Sequence, residues 1–141
     1  MRLKTIIGVS VALSMALILA TPVLADTARG KLISNTLTRS AGSYVFKTNE
    51  YKQLAVTIKA RKLVPNEYYR VGWAQYYDGE LDNYIYHTIP ANSRGSINYE
   101  VFNGHVYGEP GIWTFQAIVD SDYWVEEPWD LYGPIVELSF Y

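Results

Sequence analysis

The segment YYRVGWAQYYDGELDNYIY, residues 68–86, decides how this chain folds. On either side of its centre, apolar side chains alternate with polar or small ones, which is the period of a β-strand with one buried face. The dipeptide Asp78-Gly79 between the two runs is the strongest short-range signal for a two-residue hairpin turn. The segment therefore predicts two antiparallel strands joined by a tight turn.

The register of this hairpin decides which of its side chains face the core. A regular two-residue turn pairs Trp73 with Tyr84 and leaves Ile85 on the opposite face. A register shifted by one residue pairs Trp73 with Ile85 and Tyr69 with Ile89. The shift buries more aliphatic surface, at about 1.5–3 kcal/mol for each large side chain. We therefore expect the shifted register despite the turn signal.

The same alternation recurs in both directions along the chain. Turn residues separate the runs: Gly, Pro, Asn and Asp recur between them, and Ser40-Ala41-Gly42-Ser43 is interpreted as a turn. Seven or eight short strands with such spacing predict an all-β fold, an antiparallel sandwich of two sheets. The further predicted strands cover residues 31–37, 44–47, 54–59, 97–102, 113–119 and 136–141.

Three stretches carry a resemblance to a known group: residues 56–71, residues 89–99 (IPANSRGSINY) and residues 109–117 (EPGIWTFQA). They resemble the immunoglobulin-like and fibronectin type III-like β-sandwiches of microbial exported and surface proteins. In those, a Pro-Asn or Pro-Gly turn leads into the third strand and Pro-Gly opens the penultimate one. The similarity covers residues 53–119, but the cysteine pair of vertebrate immunoglobulins is missing. The resemblance implies an immunoglobulin-like architecture and adhesion, wall association or spacing, and it transfers no functional residue.

The first 25 residues have the composition of a secretory signal peptide. A basic start precedes an uncharged apolar stretch at residues 6–19. An uncleaved membrane anchor is the alternative, because the uncharged segment is nearly long enough to span a bilayer. Pro22 and the polar sequence that follows favour cleavage. We predict a helical signal peptide, residues 1–25, followed by one domain, residues 26–141, in a secreted or cell-surface protein.

Charge is distributed unevenly along the chain. Residues 26–66 hold eight Lys and Arg but two Asp and Glu, whereas residues 67–141 hold two bases and twelve acids. We expect adjacent strands from the two halves to neutralise each other across the sheet. Nucleic-acid binding needs a basic excess clustered on one face. No nucleic-acid partner is therefore predicted.

Residue types that carry catalysis are scarce. The chain has no Cys, no Gly-x-Ser-x-Gly motif and no phosphate-binding glycine loop. The acidic run Asp120–Asp130 could supply paired carboxylates to a glycosidase or oxygen ligands to calcium, although its spacing matches no EF-hand loop. A solvated acidic loop is the interpretation we favour. We predict no enzyme activity, no catalytic residue, no metal site and no cofactor.

Tyrosines of the central hairpin are the first candidates for binding. In the shifted register, Tyr84 and Tyr86 lie on the outer face over Gly72 and Ala74, with Tyr76 beside them. An aromatic ring over a strand glycine shields exposed backbone. The same rings would also serve as a contact surface for a sugar or a protein.

Trp124 and Trp129 lie in one six-residue stretch of an expected loop. Two Trp residues there are unusual, because loops are generally polar. They either plug an open end of the sandwich or anchor a partner. We predict a secreted, non-catalytic binding or structural module with a protein partner or cell-wall association. Carbohydrate binding through exposed Tyr and Trp is the alternative, and a small hydrolase is a third hypothesis.

Overall fold

The computed structural model describes residues 26–34, 40–121 and 129–140. The predicted signal-peptide helix, residues 1–25, lies outside this range. Across the described ranges, no helix has the length and apolar character needed to cross a membrane. The strands are β1 (Thr27–Ser34), β2 (Ala41–Thr48), β3 (Leu54–Arg61), β4 (Tyr68–Tyr77), β5 (Glu80–Pro90), β6 (Ile97–Asn103), β7 (Trp113–Ser121), β8 (Leu131–Tyr132) and β9 (Val136–Leu138).

Antiparallel pairing links these strands into one nearly closed sheet. The strand order is β5-β4-β7-β8-β1-β2-β3-β6, and β9 lies beside β7. Strand β1 joins the two halves, because residues 27–32 pair with β2 whereas Ile33 and Ser34 pair with β8. The all-β antiparallel class predicted from the sequence is confirmed.

Alternation along the strands places one face of each in a common core. Val56, Trp73, Phe115 and Leu138 come from four strands and belong to one buried cluster. Burying side chains of this size contributes about 1.5–3 kcal/mol each. Since the chain has no cysteine, this apolar core and the strand pairing hold the fold together.

Strand β2 begins earlier than predicted. Residues 40–43 were expected to form a turn, but Ala41 and Gly42 belong to β2 and pair with β3. A side chain at Gly42 would collide with the Lys59 carbonyl oxygen. Gly42 therefore permits the close approach of β2 and β3, which is a common role of glycine within a sheet.

The β4–β5 hairpin contains both the two-residue turn and the shifted register, which the sequence signals had indicated as alternatives. Asp78 and Gly79 have φ angles of 51° and 86° and form the two-residue turn. A bulge just beyond the turn leaves Asp82 as an extra residue in β5. Because the bulge shifts the register by one residue, Trp73 pairs with Ile85 as predicted.

Candidate functional site

The outer face of β4 and β5 carries the predicted tyrosine strip. Tyr86 lies opposite Gly72 and Tyr84 opposite Ala74. Tyr86 is 44 % exposed, whereas Tyr84 is half-buried. The Arg70 guanidinium carbon lies 5.3 Å from the centre of the Tyr86 ring, within cation–π range. The exposed part of the strip is therefore an arginine–tyrosine pair.

Trp129 is 4 % exposed and packs on Ala74 and Ile118 of the outer face. Tyr76 and Tyr84 are partly buried against this same cluster. A large ring over small and aliphatic side chains removes apolar surface from water. Of the two roles considered for Trp129, burial agrees with the structural one. The other candidate, Trp124, lies outside the described residues.

A narrow slot opens on the same face beside Gly72, between Tyr86 of β5 and Ile118 of β7. Its volume is about 20 Å³, which is roughly the space that one water molecule needs. A sugar ring does not fit into this slot.

Asp120 lies at the edge of this slot and is 3 % exposed. Its Oδ1 accepts a hydrogen bond from the Asp130 backbone N–H at 3.3 Å, and its Oδ2 has no partner among the described residues. Burial, and then the charge of Asp130, raises the pKa of Asp120 to about 6. Burial also raises the pKa of Asp130. Both carboxyl groups therefore hold their protons to higher pH than an aspartate in water does.

The calcium alternative concerned the acidic run around these two aspartates. Within the described ranges, no group of three His, Asp or Glu side chains is placed to hold a metal ion. Asp122, Glu126 and Glu127 of that run lie outside the described residues.

A larger cleft lies where the sheet fails to close. Strands β5 and β6 are the two ends of the strand order, and the His87 Nδ1 and Tyr99 hydroxyl, 2.8 Å apart, form a hydrogen bond across this seam. The cleft, named here the seam cleft, has a volume of about 380 Å³, within the usual range of small-molecule sites. It is lined by Gln75, Asp82, Asn83, Ile85, Asn103, His105, Val106, Tyr107, Gly108, Glu109 and Trp113.

A buried hydrogen-bond network fixes one wall of the seam cleft. Gln75 is 4 % exposed, and its Oε1 accepts bonds from Trp73 Nε1 at 3.1 Å and from the Tyr107 hydroxyl at 2.9 Å. Its Nε2 donates to the Asp82 carboxylate at 2.8 Å, and Asn103 Nδ2 donates to the Tyr107 hydroxyl at 3.0 Å. Burial raises the pKa of Tyr107, which keeps its hydroxyl a donor. The bulged Asp82 is thereby held in place beside the cleft.

The seam cleft was not predicted from the sequence, because its walls come from distant segments that only the strand order brings together. One signal was present in the sequence. Gln75 follows Val71 and Trp73 at the core-facing period of β4, and a polar residue at such a position requires hydrogen-bond partners. The adjacent polar pair Asp82-Asn83 also breaks the alternation of β5.

The expected neutralisation of charge across the sheet is contradicted. Strands β1, β2 and β3 are neighbours, so the bases of the first half of the chain gather instead of alternating with acids. The second-half strands that border this group are β8, which has no charged residue, and β6, which contributes Glu100.

No family model, curated protein or solved structure matches this chain. Its function is therefore inferred from the geometry of its surfaces and clefts.

Proposed function

We propose that this chain is a secreted, non-catalytic module that binds a carbohydrate in the seam cleft. The observation that carries the proposal is the buried network around Gln75, which holds the Asp82 carboxylate at the cleft wall. Sugars are recognised by carboxylate and amide groups that bond their hydroxyls, and by aromatic rings that contact their apolar C–H faces. Asp82 and Asn83 supply the first kind of group, and the exposed ring of His105 supplies the second.

Preorganisation supports this assignment. A side chain already held in its bound position loses little conformational freedom when the ligand arrives. Gln75 fixes Asp82 from within the core, and the bulge itself places that residue toward the seam. Two carboxylates, Asp82 and Glu109, line the cleft. The ligand is therefore a neutral sugar, because an anionic one would be repelled.

A binding assay with matched double variants tests the site. Neutral oligosaccharides (cello-, xylo-, manno- and chito-series) are titrated calorimetrically into the protein. Asp82→Ala with Asn83→Ala should weaken binding of any bound sugar by tenfold or more, since each lost hydrogen bond to a ligand contributes about 1 kcal/mol. The control, Asn98→Ala with Glu100→Ala, removes the same groups from exposed positions of β6. Equal affinities in both double variants, or no binding of any sugar, would contradict the proposal.

Absence of catalysis is tested on the same ligands. Asp82 and Glu109 are two carboxylates in one cleft, which is what a glycoside hydrolase requires. We expect no release of new reducing ends during prolonged incubation. Release that disappears in both Asp82→Asn and Glu109→Gln would replace the binding role with a hydrolytic one.

A protein partner at the outer face of β4 and β5 is the second candidate function. The Arg70 guanidinium over Tyr86 favours it, because Arg and Tyr dominate the energetics of protein interfaces. The guanidinium also covers one face of the ring, which leaves less of it for stacking on a sugar. Binding to the source organism's isolated envelope should then fall in Arg70→Ala with Tyr86→Ala and be lost when the envelope is treated with protease. Binding that survives protease would exclude this candidate.

We also propose that the protein is secreted and that its fold is an immunoglobulin-like sandwich. Residues 1–25 have the charge and apolar pattern of a cleaved leader, so the exported protein should begin at Asp26. The passage of β1 from β2 to β8 is the kind of corner at which sandwich strands change sheets. Mass spectrometry of the exported protein tests the cleavage, and an intact Met1 on it would contradict that part.

A further inference from the structure

The outward side chains of β1, β2 and β3 form a strongly basic face. Strand register sets Lys31, Ser43 and Lys59 side by side in one row. The next row contains Arg29, with Val45 and Thr57 beside it. The basic face consists of Arg29, Lys31, Lys47, Lys59 and Arg61, which are all exposed.

Within β1, β2 and β3 the rows contain no acid that would offset these charges. Lys47 has Thr27 and Ala55 as its outward neighbours, and Arg61 has Ala41. Glu100, on the adjoining edge strand β6, is opposite Thr57 and borders the face. The protein as a whole is acidic, with a formal charge of −2, so the concentration of positive charge here is local.

We infer that this basic face binds an anionic polysaccharide, a glycan chain that bears carboxylate or sulfate groups. Charge complementarity selects a polyanion. Cations repeat about 7 Å apart along β1 and β3 and about 10 Å apart across them, by the standard strand spacings. An extended chain with regularly repeated charges matches such a grid. Ser43 and Thr57 lie between the cations and supply hydroxyl groups that bond sugar hydroxyls.

The same face is poorly suited to nucleic acid. Single strands are held by aromatic rings on which bases stack, whereas the side chains between these cations are Ser43, Val45, Ala55 and Thr57. Duplexes are recognised by an element that enters a groove, whereas the outward residues here lie on three neighbouring strands of one sheet.

An anionic membrane is also less favoured. Interfacial binding adds insertion of apolar or aromatic side chains to charge attraction. The central positions of the face are short, and Phe102, which is 61 % exposed, lies at its margin on β6. Phe102 therefore distinguishes the two cases, since its removal weakens membrane insertion but leaves attraction to a polysaccharide intact.

The basic face shares no residue with the seam cleft, and it does not depend on the function proposed for that cleft. Binding of polygalacturonate (carboxylate) and dextran sulfate (sulfate) is measured at low and high salt, with neutral dextran as the reference. We expect salt-sensitive binding of at least one polyanion and none of dextran. Lys31→Gln with Lys59→Gln should weaken it about tenfold or more, since each cation contributes on the order of fivefold near an anionic surface. Lys52→Gln with Arg94→Gln removes equal charge outside the face and should leave the affinity within twofold.

Four results would contradict the assignment of polysaccharide binding to the basic face. Similar losses in the two double variants would show that net charge, not the face, is responsible. Tighter binding to duplex DNA, or tighter binding to phosphatidylglycerol vesicles that Phe102→Ala abolishes, would replace the polysaccharide with the other polyanion. Failure to bind either glycan polyanion also overturns the inference. None of these outcomes bears on neutral sugars in the seam cleft, which the Asp82 and Asn83 variants test.

Discussion

Gln75 links the core to the seam cleft, because its amide bonds Trp73, Tyr107 and Asp82 at once. Replacing it with leucine keeps a side chain of similar volume but leaves the buried Trp73 N–H and Tyr107 hydroxyl without this acceptor. We expect the free energy of unfolding to fall by about 2–4 kcal/mol, since an unsatisfied buried polar group costs about 1–3 kcal/mol.

Urea unfolding measures the loss in Gln75→Leu. Gln116→Leu is the matched control, because half-buried Gln116 donates one bond, to the Gly133 carbonyl at 3.0 Å; its loss should be near 1 kcal/mol. A Gln75→Leu protein as stable as the control would mean that the network does not contribute to the fold.

The raised pKa of Asp120 predicts that the stability of the fold depends on pH. Its pKa is raised in the fold from 3.8 to about 6, mainly by burial, so the folded protein holds this proton more tightly than the unfolded chain. The resulting stabilisation is complete below pH 3.8 and is lost as pH rises through 6. At 1.4 kcal/mol for each pKa unit it amounts to at most about 3 kcal/mol.

Chemical unfolding of the wild type and of Asp120→Asn at pH 4.5 and pH 7 measures this effect. The amide does not titrate, so the variant should lose less stability than the wild type between these two pH values. An identical pH dependence in the two proteins would contradict the assigned origin of the shift.

Strand packing between β4 and β5 depends on Gly72. A methyl group there would collide with the Ile85 carbonyl oxygen and lie 2.6 Å from the Tyr86 Cα, and both of these are backbone atoms that cannot move independently. We expect Gly72→Ala to destabilise the protein by about 2–3 kcal/mol or more, as overpacking does. Gly104→Ala, where nothing lies within 4 Å, should change stability by less than about 0.5 kcal/mol in thermal unfolding. Equal effects would mean that the two strands can separate freely.

Elements with strict alternation were predictable from the sequence. The run that contains Val56 became β3 and the run that contains Phe115 became β7, because a two-residue period with one buried face specifies a strand. The β4–β5 register also followed from burial alone. The bulge at Asp82 did not, since the turn signal and the burial signal were each correct and only an extra residue reconciles them. The early start of β2 was missed because Gly42 occurs in turns and at close strand contacts alike.

At the scale of the whole molecule, the sheet is nearly closed and side chains cross its open seam. The hydrogen bond between Tyr99 and His87 joins the first and last strands of the path. Removing the hydroxyl in Tyr99→Phe should cost about 1 kcal/mol and speed amide exchange in β5. Tyr68→Phe, at an exposed position of β4, is the control. Unchanged exchange in β5 would mean that the seam is held by other contacts.

The candidate sites depended on strand order, which local patterns do not contain. The tyrosine strip was predictable because Tyr84 and Tyr86 lie within one hairpin. The seam cleft was not, because Gln75 and Tyr107 are separated by more than thirty residues and meet only through the fold. The basic face was missed for the same reason, since the sequence was expected to interleave strands from its two halves and the sheet instead groups β1, β2 and β3.

Amide chemical shifts of the labelled protein, recorded during titration with the tightest-binding neutral oligosaccharide, test the seam cleft most directly. Binding there should shift the resonances of Asp82, Asn83, His105 and Tyr107, and the indole signal of Trp113, in a saturable way, while those of β1, β2 and β3 stay in place. Shifts confined to Tyr86 and Arg70 on the outer face, or a spectrum that no neutral sugar changes, would contradict carbohydrate binding in the seam cleft.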